Sequence, residues 1–208
     1  MELFMHRPYI LELLQKQTPT PQNNMNDIII PNPIRNTTDF LPEVVQHAEF
    51  LKTRYTEIIG NVFESIIRPN TPDEIRVLYK RNIFESPIGK IPSIPIKEYM
   101  IHRINRYAHN SYYDIIHAVA LIDKINMMDP TILPIRKISI HRIYATALLL
   151  AIKLNMDKCY CDTFYANVIG ITRNELISLE IKMFKLLDFN VMIDENILMK
   201  YIEALNKL

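Results

Sequence analysis

The stretch ISIHRIYATALLLAIKL, residues 138–154, decides the fold of this chain. Apolar side chains occupy nearly every position around it, and it contains neither glycine nor proline. This pattern predicts a helix that is buried on all sides. Ser139 stands where an N-cap residue is expected. A helix of this kind needs other helices around it, so we expect an all-α domain built on residues 138–154.

Helical patterns precede and follow this central stretch, and no strand alternation of useful length interrupts them. Downstream, Gly170 separates a short helix from a longer one that opens with Thr172 and Glu175. These two residues form a capping box, in which each side chain satisfies a free backbone N–H at the helix start. The predicted helices around the centre cover residues 97–109, 112–127, 163–168, 172–187 and 194–205.

The N-terminal part of the chain contains one long amphipathic helix, predicted over residues 40–67. Apolar residues recur there at alternating spacings of three and four, which places them in one stripe. We expect the stripe to pack against the chain's own domain, and the alternative is a coiled-coil dimer through residues 40–67. The stripe comprises Leu41, Val44, Ala48, Leu51, Tyr55, Ile58 and Val62.

Proline-rich connectors divide the chain into parts. A short amphipathic helix over residues 3–17 is followed by a linker at 18–39 that is rich in proline, asparagine and threonine. Prolines and a glycine between Phe84 and Pro95 mark a domain boundary, and Thr71 can cap another helix upstream of it. The expected division is an N-terminal arm and linker at 1–39, a helical extension at 40–90, a core domain at 91–190 and a C-terminal helix at 191–208.

Charge and hydropathy exclude several classes of protein. The formal net charge is +1, from 24 basic and 23 acidic residues, and the absence of a basic stripe argues against nucleic-acid binding. No run of about 18 apolar residues is available to span a membrane, and the charged N-terminus does not resemble a signal peptide. Cys159 and Cys161 are separated by one residue, which suits reduced thiols, so we expect a protein of the cytoplasm or nucleus.

The sequence shows no catalytic constellation. It contains no nucleophile–base arrangement and no glycine-rich phosphate loop, and its six histidines lack metal-ligand spacing. We therefore expect a binding module that is not an enzyme and that uses no catalytic residue, cofactor or metal ion.

Charged residues interrupt the apolar faces of the predicted helices at a few positions. Lys153 ends the central helix among apolar neighbours, and Glu180 has apolar residues at helical spacing on both sides. A charge near a core is costly unless it is paired, so the two are expected to pair or to form hydrogen bonds in a partly dry interface. The alternative for Lys153 is that its ammonium reaches water beside the helix C-terminus. Arg103 and Asp123 form a second candidate pair, expected to be structural.

Several segments, in order, resemble the cyclin box, and in particular the P/U-type cyclins of the phosphate-pathway group. They cover roughly residues 91–190 and read IPSIPIKEYMIHRINRY, AVALIDKI, ISIHRIYATALLLAIKL and FYANVIGITRNELISLEIKMFKLLDFNV. The resemblance implies a single five-helix cyclin box with an N-terminal helical extension and one C-terminal helix. It also implies a partner, a cyclin-dependent protein kinase, which the chain would bind and activate allosterically.

The resemblance further implies which residues bind the kinase: Lys153, Glu180, Leu154, Phe184, Phe189 and Asp157. In the family, the lysine–glutamate pair reaches main-chain groups beside the mobile αC helix of the kinase, and the three apolar residues pack on that helix. Asp157 matches an acid that in some members faces arginines of the kinase. Arg103 and Asp123 match an internal ion pair.

The chain departs from the family pattern in three places, of which one is a long connector between the second and third helices of the box. An acidic pair usually follows the lysine, whereas residues 154–157 carry one acid. The hydrophobic substrate-docking patch of mitotic cyclins is not recognisable, because His102, Asn105 and His109 fall near its positions. Two alternative functions stay open, a kinase-independent helical scaffold that dimerises through residues 40–67 and a transcription-factor-like module with the same fold.

Overall fold

The computed structural model of the chain describes residues 8–17, 42–67, 82–86, 91–128, 132–133 and 135–208. These ranges form helices and connecting turns and contain no β-strand, which confirms the all-α class. In chain order the helices are α1 (Tyr9–Lys16), α2 (Pro42–Ile66), α3 (Ile96–Tyr99, continued by Met100–Ile104 and Asn105–Tyr107), α4 (Tyr112–Met128), α5 (Ile140–Asn155), α6 (Asp162–Ile169), α7 (Arg173–Leu186) and α8 (Glu195–Asn206).

Helix α5 is the centre of the fold, as its sequence predicts. Most of its side chains between Ile140 and Ile152 are buried, and Tyr144 is fully inaccessible to solvent. Helix α4 packs along α5 and is itself buried over residues 114–123. Helices α6 and α7 also pack against α5. The core therefore consists of two largely buried helices with the amphipathic helices arranged around them.

Helix α2 uses its apolar stripe within the chain, as expected. Leu51, Tyr55 and Val62 are buried where α2 packs against α3 and α4. At Gly60, a Cβ atom would lie 2.9 Å from Cγ and 3.1 Å from Cα of Lys97. Only glycine therefore lets α2 and α3 approach each other this closely.

Helix α3 is α-helical at both ends and π-helical over Met100–Ile104. The helix ends at Tyr107, whereas the sequence predicts residues 97–109. A π turn spaces its hydrogen bonds at five residues instead of four, so it turns the following side chains away from their regular positions. Sequence periodicity cannot anticipate which face Arg103 then presents.

Asp123 of α4 does not pair with Arg103, so the predicted structural ion pair is wrong. The Asp123 carboxylate is buried and accepts hydrogen bonds from the backbone N–H groups of Ile10 and Leu11, at 2.9 and 3.0 Å. It also accepts a hydrogen bond from the hydroxyl of Tyr201 at 2.8 Å. Asp123 thereby holds the N-terminus of α1, where negative charge is favoured, and joins it to α8.

Arg103 instead holds the C-terminus of α6. Its Nε and Nη2 atoms donate to the carbonyl oxygens of Val168 and Asn167, the latter at 3.0 Å. The hydroxyl of Tyr99 donates to the carbonyl oxygen of Ile169 at 3.0 Å. The last carbonyls of a helix have no partner inside the helix. Helix α3 therefore supplies the donors that the end of α6 needs.

The connection between α6 and α7 follows the sequence prediction in part. Gly170 ends α6 with a φ of 90°, and a Cβ there would lie 3.2 Å from Nη2 of Arg103. Thr172 caps α7 by accepting a hydrogen bond from the backbone N–H of Glu175 at 3.2 Å. The Glu175 side chain pairs with Arg142 of α5. Since this carboxylate is engaged with α5, only half of the predicted capping box forms.

Serine side chains differ from the prediction at two helix starts. Ser139 occupies the N-cap position of α5, but its hydroxyl makes no capping bond and contacts the backbone of Arg136 instead. A full capping box that sequence reasoning missed opens α4. Ser111 Oγ accepts from the Asp114 N–H at 3.2 Å, and Asp114 Oδ2 accepts from the Ser111 N–H at 2.7 Å. The Ser-x-x-Asp spacing was its signal.

Residues 82–86 and 91–95, on either side of the predicted domain boundary, adopt turns and extended conformations. Phe84 is fully buried there, and the N–H of Ser86 donates to the carbonyl oxygen of Ile138 at 3.0 Å. This segment is therefore fastened to the start of the central helix. The predicted features that lie outside the described residues include residues 3–7 of the first helix, the linker at 18–39, Leu41, the helix start at Thr71 and residues 87–90 of the boundary.

Candidate functional site

Lys153 lies in the last turn of α5, where the buried helix reaches the surface. Its ammonium donates to Oε1 of Glu180 on α7 at 2.7 Å and to Oδ1 of Asp162 on α6 at 2.9 Å. The Lys153 side chain is 33% exposed, whereas that of Glu180 is 9% exposed. The pair expected between Lys153 and Glu180 is formed. Among the described residues the ammonium has no third acceptor, so one N–H is open to a partner.

Asp162 is a third member of this charged cluster, and sequence reasoning missed it. It is the first residue of α6, where the helix dipole favours a carboxylate. Its second oxygen, Oδ2, lies 3.8 Å from Nη2 of Arg173 on α7. An acid at a helix start was the only signal in the sequence, and ordinary helix stability explains that signal equally well. The cluster joins the end of α5 and the start of α6 to α7, through Glu180 in the middle of α7 and Arg173 at its start.

Burial and pairing act in opposite directions on the pKa values of the cluster. Burial lowers the pKa of Lys153, but the hydrogen bonds and charges of Glu180 and Asp162 outweigh it, so the pKa is raised and the lysine stays charged. Burial raises the pKa of Glu180, and the bond from Lys153 only partly opposes this. Pairing therefore decides the direction of the pKa shift of the more exposed Lys153, and burial decides that of the buried Glu180. Loss of the lysine would therefore leave Glu180 as an uncompensated charge.

Exposed apolar side chains flank the charged cluster. Leu154 follows the lysine and is exposed, and Phe184 lies one turn after the glutamate on α7 and is half-buried. Phe189, just beyond α7, is 69% exposed. Ile181 of α7 is exposed as well, and sequence reasoning did not foresee it. Large apolar side chains at this level of exposure are typical of a surface that another protein covers.

The turn that carries Phe189 has an unusual backbone conformation. Asp188 and Phe189 have φ values of 50° and 58°, a region that bulky side chains rarely adopt. Lys124 of α4 donates to the carbonyl oxygens of Asn190 and Met192, at 2.8 and 3.0 Å, and fastens the segment that follows. The surrounding structure thus holds the strained turn in place and leaves the Phe189 ring in solvent.

Asp157 lies in the exposed segment after α5 and has no ion-pair partner among the described residues. The end of α5 before it is fixed, because Asn155 donates to Oδ1 of Asp114 at 2.8 Å. Asp157 therefore follows the same helix end as Lys153 and is available to a partner. Arg103 and Asp123, by contrast, make their contacts in other parts of the fold.

Metal-binding and membrane-spanning features are absent from the described part of the chain. No group of three or more His, Cys, Asp or Glu residues there could hold a metal ion. No helix in the same ranges is long and apolar enough to cross a bilayer. Cys159 and Cys161 are exposed free thiols. The charged cluster offers hydrogen bonds, and the exposed side chains of Leu154, Ile181 and Phe189 offer hydrophobic contacts. This combination suits the recognition of another protein.

Comparison with known families gives a match over most of the chain. A family model described as Cyclin covers residues 15–191. The match includes the core domain expected at residues 91–190 and extends upstream through α2. The helical extension therefore belongs to the region that the family shares.

Individual relatives match shorter parts of the chain. Cyclin-U4-2 of Arabidopsis thaliana is 40% identical over 90 residues, which are 43% of this chain and 41% of the relative. Cyclin-P1-1 of Oryza sativa subsp. japonica is 30% identical over 125 residues, 60% of this chain and 47% of the relative. The Nuc-1 negative regulatory protein preg of Neurospora crassa is 25% identical over 144 residues, which are 69% of this chain and 29% of the relative. Each match spans about half or less of the relative.

Proposed function

This chain belongs to the cyclin family and is of its P/U type, and on that premise we propose that it binds and allosterically activates a cyclin-dependent protein kinase. Cyclins are regulatory proteins, so the contribution of this chain is a surface and not a reaction. The surface is the charged cluster around Lys153 and Glu180 together with the apolar side chains of Leu154, Phe184 and Phe189.

The observation that carries this proposal is the position of the Lys153 ammonium. Two carboxylates fix it at 2.7 and 2.9 Å, and it keeps one N–H directed to no described residue. An ammonium held in this way can donate to a main-chain carbonyl of the kinase without losing further side-chain entropy. Leu154 follows Lys153 in the chain and Phe189 follows α7, and both side chains are exposed and can pack on an apolar helix face of the partner.

The mechanism follows from a shift in the kinase population. In a free kinase of this class the αC helix is held outward, which breaks the Lys–Glu ion pair needed for catalysis. A surface that fits only the inward position of αC favours the active state. Reversing a 1:99 equilibrium requires about 5.5 kcal/mol of differential binding. A few buried aromatic anchors and desolvated hydrogen bonds can supply that amount.

Asp157 has a separate role in this proposal. It would face arginines of the kinase and supply the negative charge that a phosphate on the activation loop supplies elsewhere. The substitution Asp157→Ala should then lower the activity of the complex with an unphosphorylated kinase and leave binding nearly intact. Unchanged activation by the variant would remove this role.

The experiment is affinity capture from an extract of the source cell, followed by a kinase assay. The wild type should retain a cyclin-dependent kinase with activity, and Lys153→Ala/Glu180→Ala should retain none. The matched control is Lys200→Ala/Glu203→Ala, which removes one exposed lysine and one exposed glutamate from α8. Thermal melting of each variant shows that it is folded.

Other results would favour the alternatives. Equal capture of the same partners by wild type and by Lys153→Ala/Glu180→Ala would show that the charged cluster has only a structural role. A mass that grows with concentration would support a scaffold that dimerises through residues 40–67, and salt-dependent binding to DNA would support a transcription-factor-like module. A kinase regulator of this kind would act in the cytoplasm, the nucleus or both.

A further inference from the structure

A row of polar side chains runs along one side of α4, the helix whose residues 114–123 are buried. Asp114, His117 and Lys124 form this row, at spacings of three and seven residues that place them on the same side of the helix. Asp114 and His117 are buried, and Lys124 is half-buried. Polar groups in such positions are costly unless they are hydrogen-bonded, so their partners show what the row holds in place.

Lys124 and His117 bond to three consecutive carbonyl groups just after α7. The Lys124 ammonium donates to the carbonyl oxygens of Asn190 and Met192, at 2.8 and 3.0 Å. Nε2 of His117 lies 3.1 Å from the carbonyl oxygen of Val191. Because a carbonyl oxygen can only accept, Nε2 is the donor in this hydrogen bond. Side chains of a single helix thus fix three peptide groups in a row.

Phe189, the residue directly before these peptide groups, has a conformation that it would rarely adopt alone. Its φ is 58° and that of Asp188 is 50°, a region that is unfavourable for bulky side chains. The N–H of Phe189 donates to the carbonyl oxygen of Phe184 at 2.8 Å, which holds the turn from the side of α7. Lys124 and His117 hold it from the side of α4. Such a turn persists only because contacts on both sides determine it.

The other end of the polar row fixes the end of α5. Oδ1 of Asp114 accepts a hydrogen bond from the side-chain amide of Asn155 at 2.8 Å. Asn155 is the last residue of α5 and directly follows Lys153 and Leu154. Both parts of the proposed kinase site are therefore tied to α4, which itself contributes no residue to that site.

We infer that Lys124 and His117 are positioning residues of the proposed kinase site, which hold Phe189 in its left-handed turn and fix the direction of its ring without touching the partner. This inference rests on the proposed function. A ring that is already held in its bound orientation loses less conformational freedom when the kinase binds. Release of the turn from α4 should therefore weaken kinase binding although every contact residue is retained.

The first test measures the motion of the side chain at position 189 with no kinase present. The sequence contains no tryptophan, so Phe189→Trp introduces a single fluorophore at the turn. Lys124→Met in this background removes the donors and keeps the aliphatic chain, and the fast loss of fluorescence anisotropy should grow by roughly twofold or more. Lys124→Arg should retain most of the restraint, because a guanidinium also donates to carbonyl oxygens. The matched control is Lys200→Met on α8, which should have no effect.

The second test measures the dissociation constant of the kinase that affinity capture retains. Lys124→Met should raise this constant by roughly fivefold or more, because the ring must be ordered on binding. With Phe189→Ala already present, Lys124→Met should change it by less than about twofold, since the ring that Lys124 positions is gone. His117→Phe keeps the shape of the ring but lacks the donor, and it should add to the effect of Lys124→Met.

Several results would overturn the inference, provided that thermal melting shows each variant to be folded. Anisotropy that Lys124→Met leaves unchanged would show that the ammonium does not hold the turn. An equal loss of kinase affinity with and without Phe189→Ala would show that Lys124 acts on the fold as a whole. An effect of Lys200→Met as large as that of Lys124→Met would remove the specific role of α4.

Failure of the proposed function would be recognised separately. If the wild type captures no kinase, the proposed function fails and the role of Lys124 in kinase binding fails with it. The anisotropy measurement needs no kinase, so it still decides whether Lys124 orients the side chain at position 189.

Discussion

Lys153 and Glu180 illustrate how a nearly buried position can serve binding more than stability. Two apolar side chains of similar volume would pack this corner at least as well, because the desolvation of an ion pair offsets much of its attraction. The chain instead places a lysine there with one donor open to solvent. That choice gives no clear gain in folding, and it does supply a fixed hydrogen-bond donor beside exposed apolar side chains.

Asp123 makes the stability of the chain depend on pH. Burial raises its pKa from 3.8 to about 6, and the hydrogen bonds from Ile10, Tyr201 and Leu11 only partly oppose this. Between pH 4 and pH 6 the folded state therefore keeps a proton that the unfolded chain has lost. The free energy of unfolding accordingly falls as the pH rises through this window, by roughly 3 kcal/mol for the whole shift.

Urea unfolding of the wild type and of Asp123→Asn, from pH 4 to pH 7, measures this effect. The difference in unfolding free energy, wild type minus variant, should decline as the pH rises, because all other groups cancel. The variant should also be less stable throughout, since an amide offers only one oxygen to three donors. A difference that stays constant or grows with pH would show that Asp123 is ionised in this range.

At the residue scale, the sequence was sufficient to predict the site residues that are unusual for their local surroundings. Lys153 and Glu180 stand out because each interrupts an apolar helix face. Asp162 does not stand out, because an acid in the first turn of a helix is ordinary. Arg103 and Asp123 looked alike in sequence, but their partners depend on how α1, α6 and α8 are arranged in space. The arrangement of these helices in space cannot be predicted from local sequence patterns.

The end of α6 is the clearest case of one helix completing another. Its last carbonyl oxygens are bonded to Arg103 and Tyr99 of α3. This contact aligns α6 with α3, and α6 in turn places Asp162 beside Lys153.

A double-mutant cycle tests the reassignment of Arg103 and Asp123. Arg103→Gln should cost roughly 1 to 3 kcal/mol of unfolding free energy, because helix-end carbonyls lose their donors. Asp123→Asn should lower the free energy of unfolding by a similar amount, because one amide oxygen cannot accept all three hydrogen bonds of the carboxylate. Since the two side chains share no partner, the coupling energy should be below about 0.5 kcal/mol. A coupling of more than about 1 kcal/mol would restore the ion pair.

Gly170 carries a prediction about the turn between α6 and α7. Its φ of 90° is strained for any other residue, so Gly170→Ala should lower the free energy of unfolding by roughly 1 to 3 kcal/mol. Gly170→Asn adds a similar Cβ contact but tolerates positive φ better, and it should cost less. Thermal melting of both variants measures this. Equal losses would point to the contact with Arg103 and not to the backbone.

At the scale of helices, periodicity and capping signals were sufficient for most boundaries. The central helix, α2, α7 and α8 all lie within a few residues of their predictions. The exceptions have physical causes. The π turn of α3 has no distinctive composition, and the Ser139 hydroxyl contacts Arg136 in the preceding turn. Boundaries set by local propensity were therefore predictable, and those set by tertiary contact were not.

For the whole molecule, the buried helices α4 and α5 form the core on which the charged cluster is built. The charged cluster combines a fixed ammonium with exposed apolar side chains in the same segments of the chain. The family match and the geometry of the cluster support the proposal that the cluster binds a kinase.

The most direct measurement is titration calorimetry of the captured kinase with the wild type, with Lys153→Ala/Glu180→Ala and with the control Lys200→Ala/Glu203→Ala. Removal of two desolvated interface charges should raise the dissociation constant by roughly 100-fold or more, and the control should leave it unchanged. If the cluster variant melts as a folded protein and still binds the kinase with a dissociation constant close to that of the wild type, the assignment of the kinase site is contradicted.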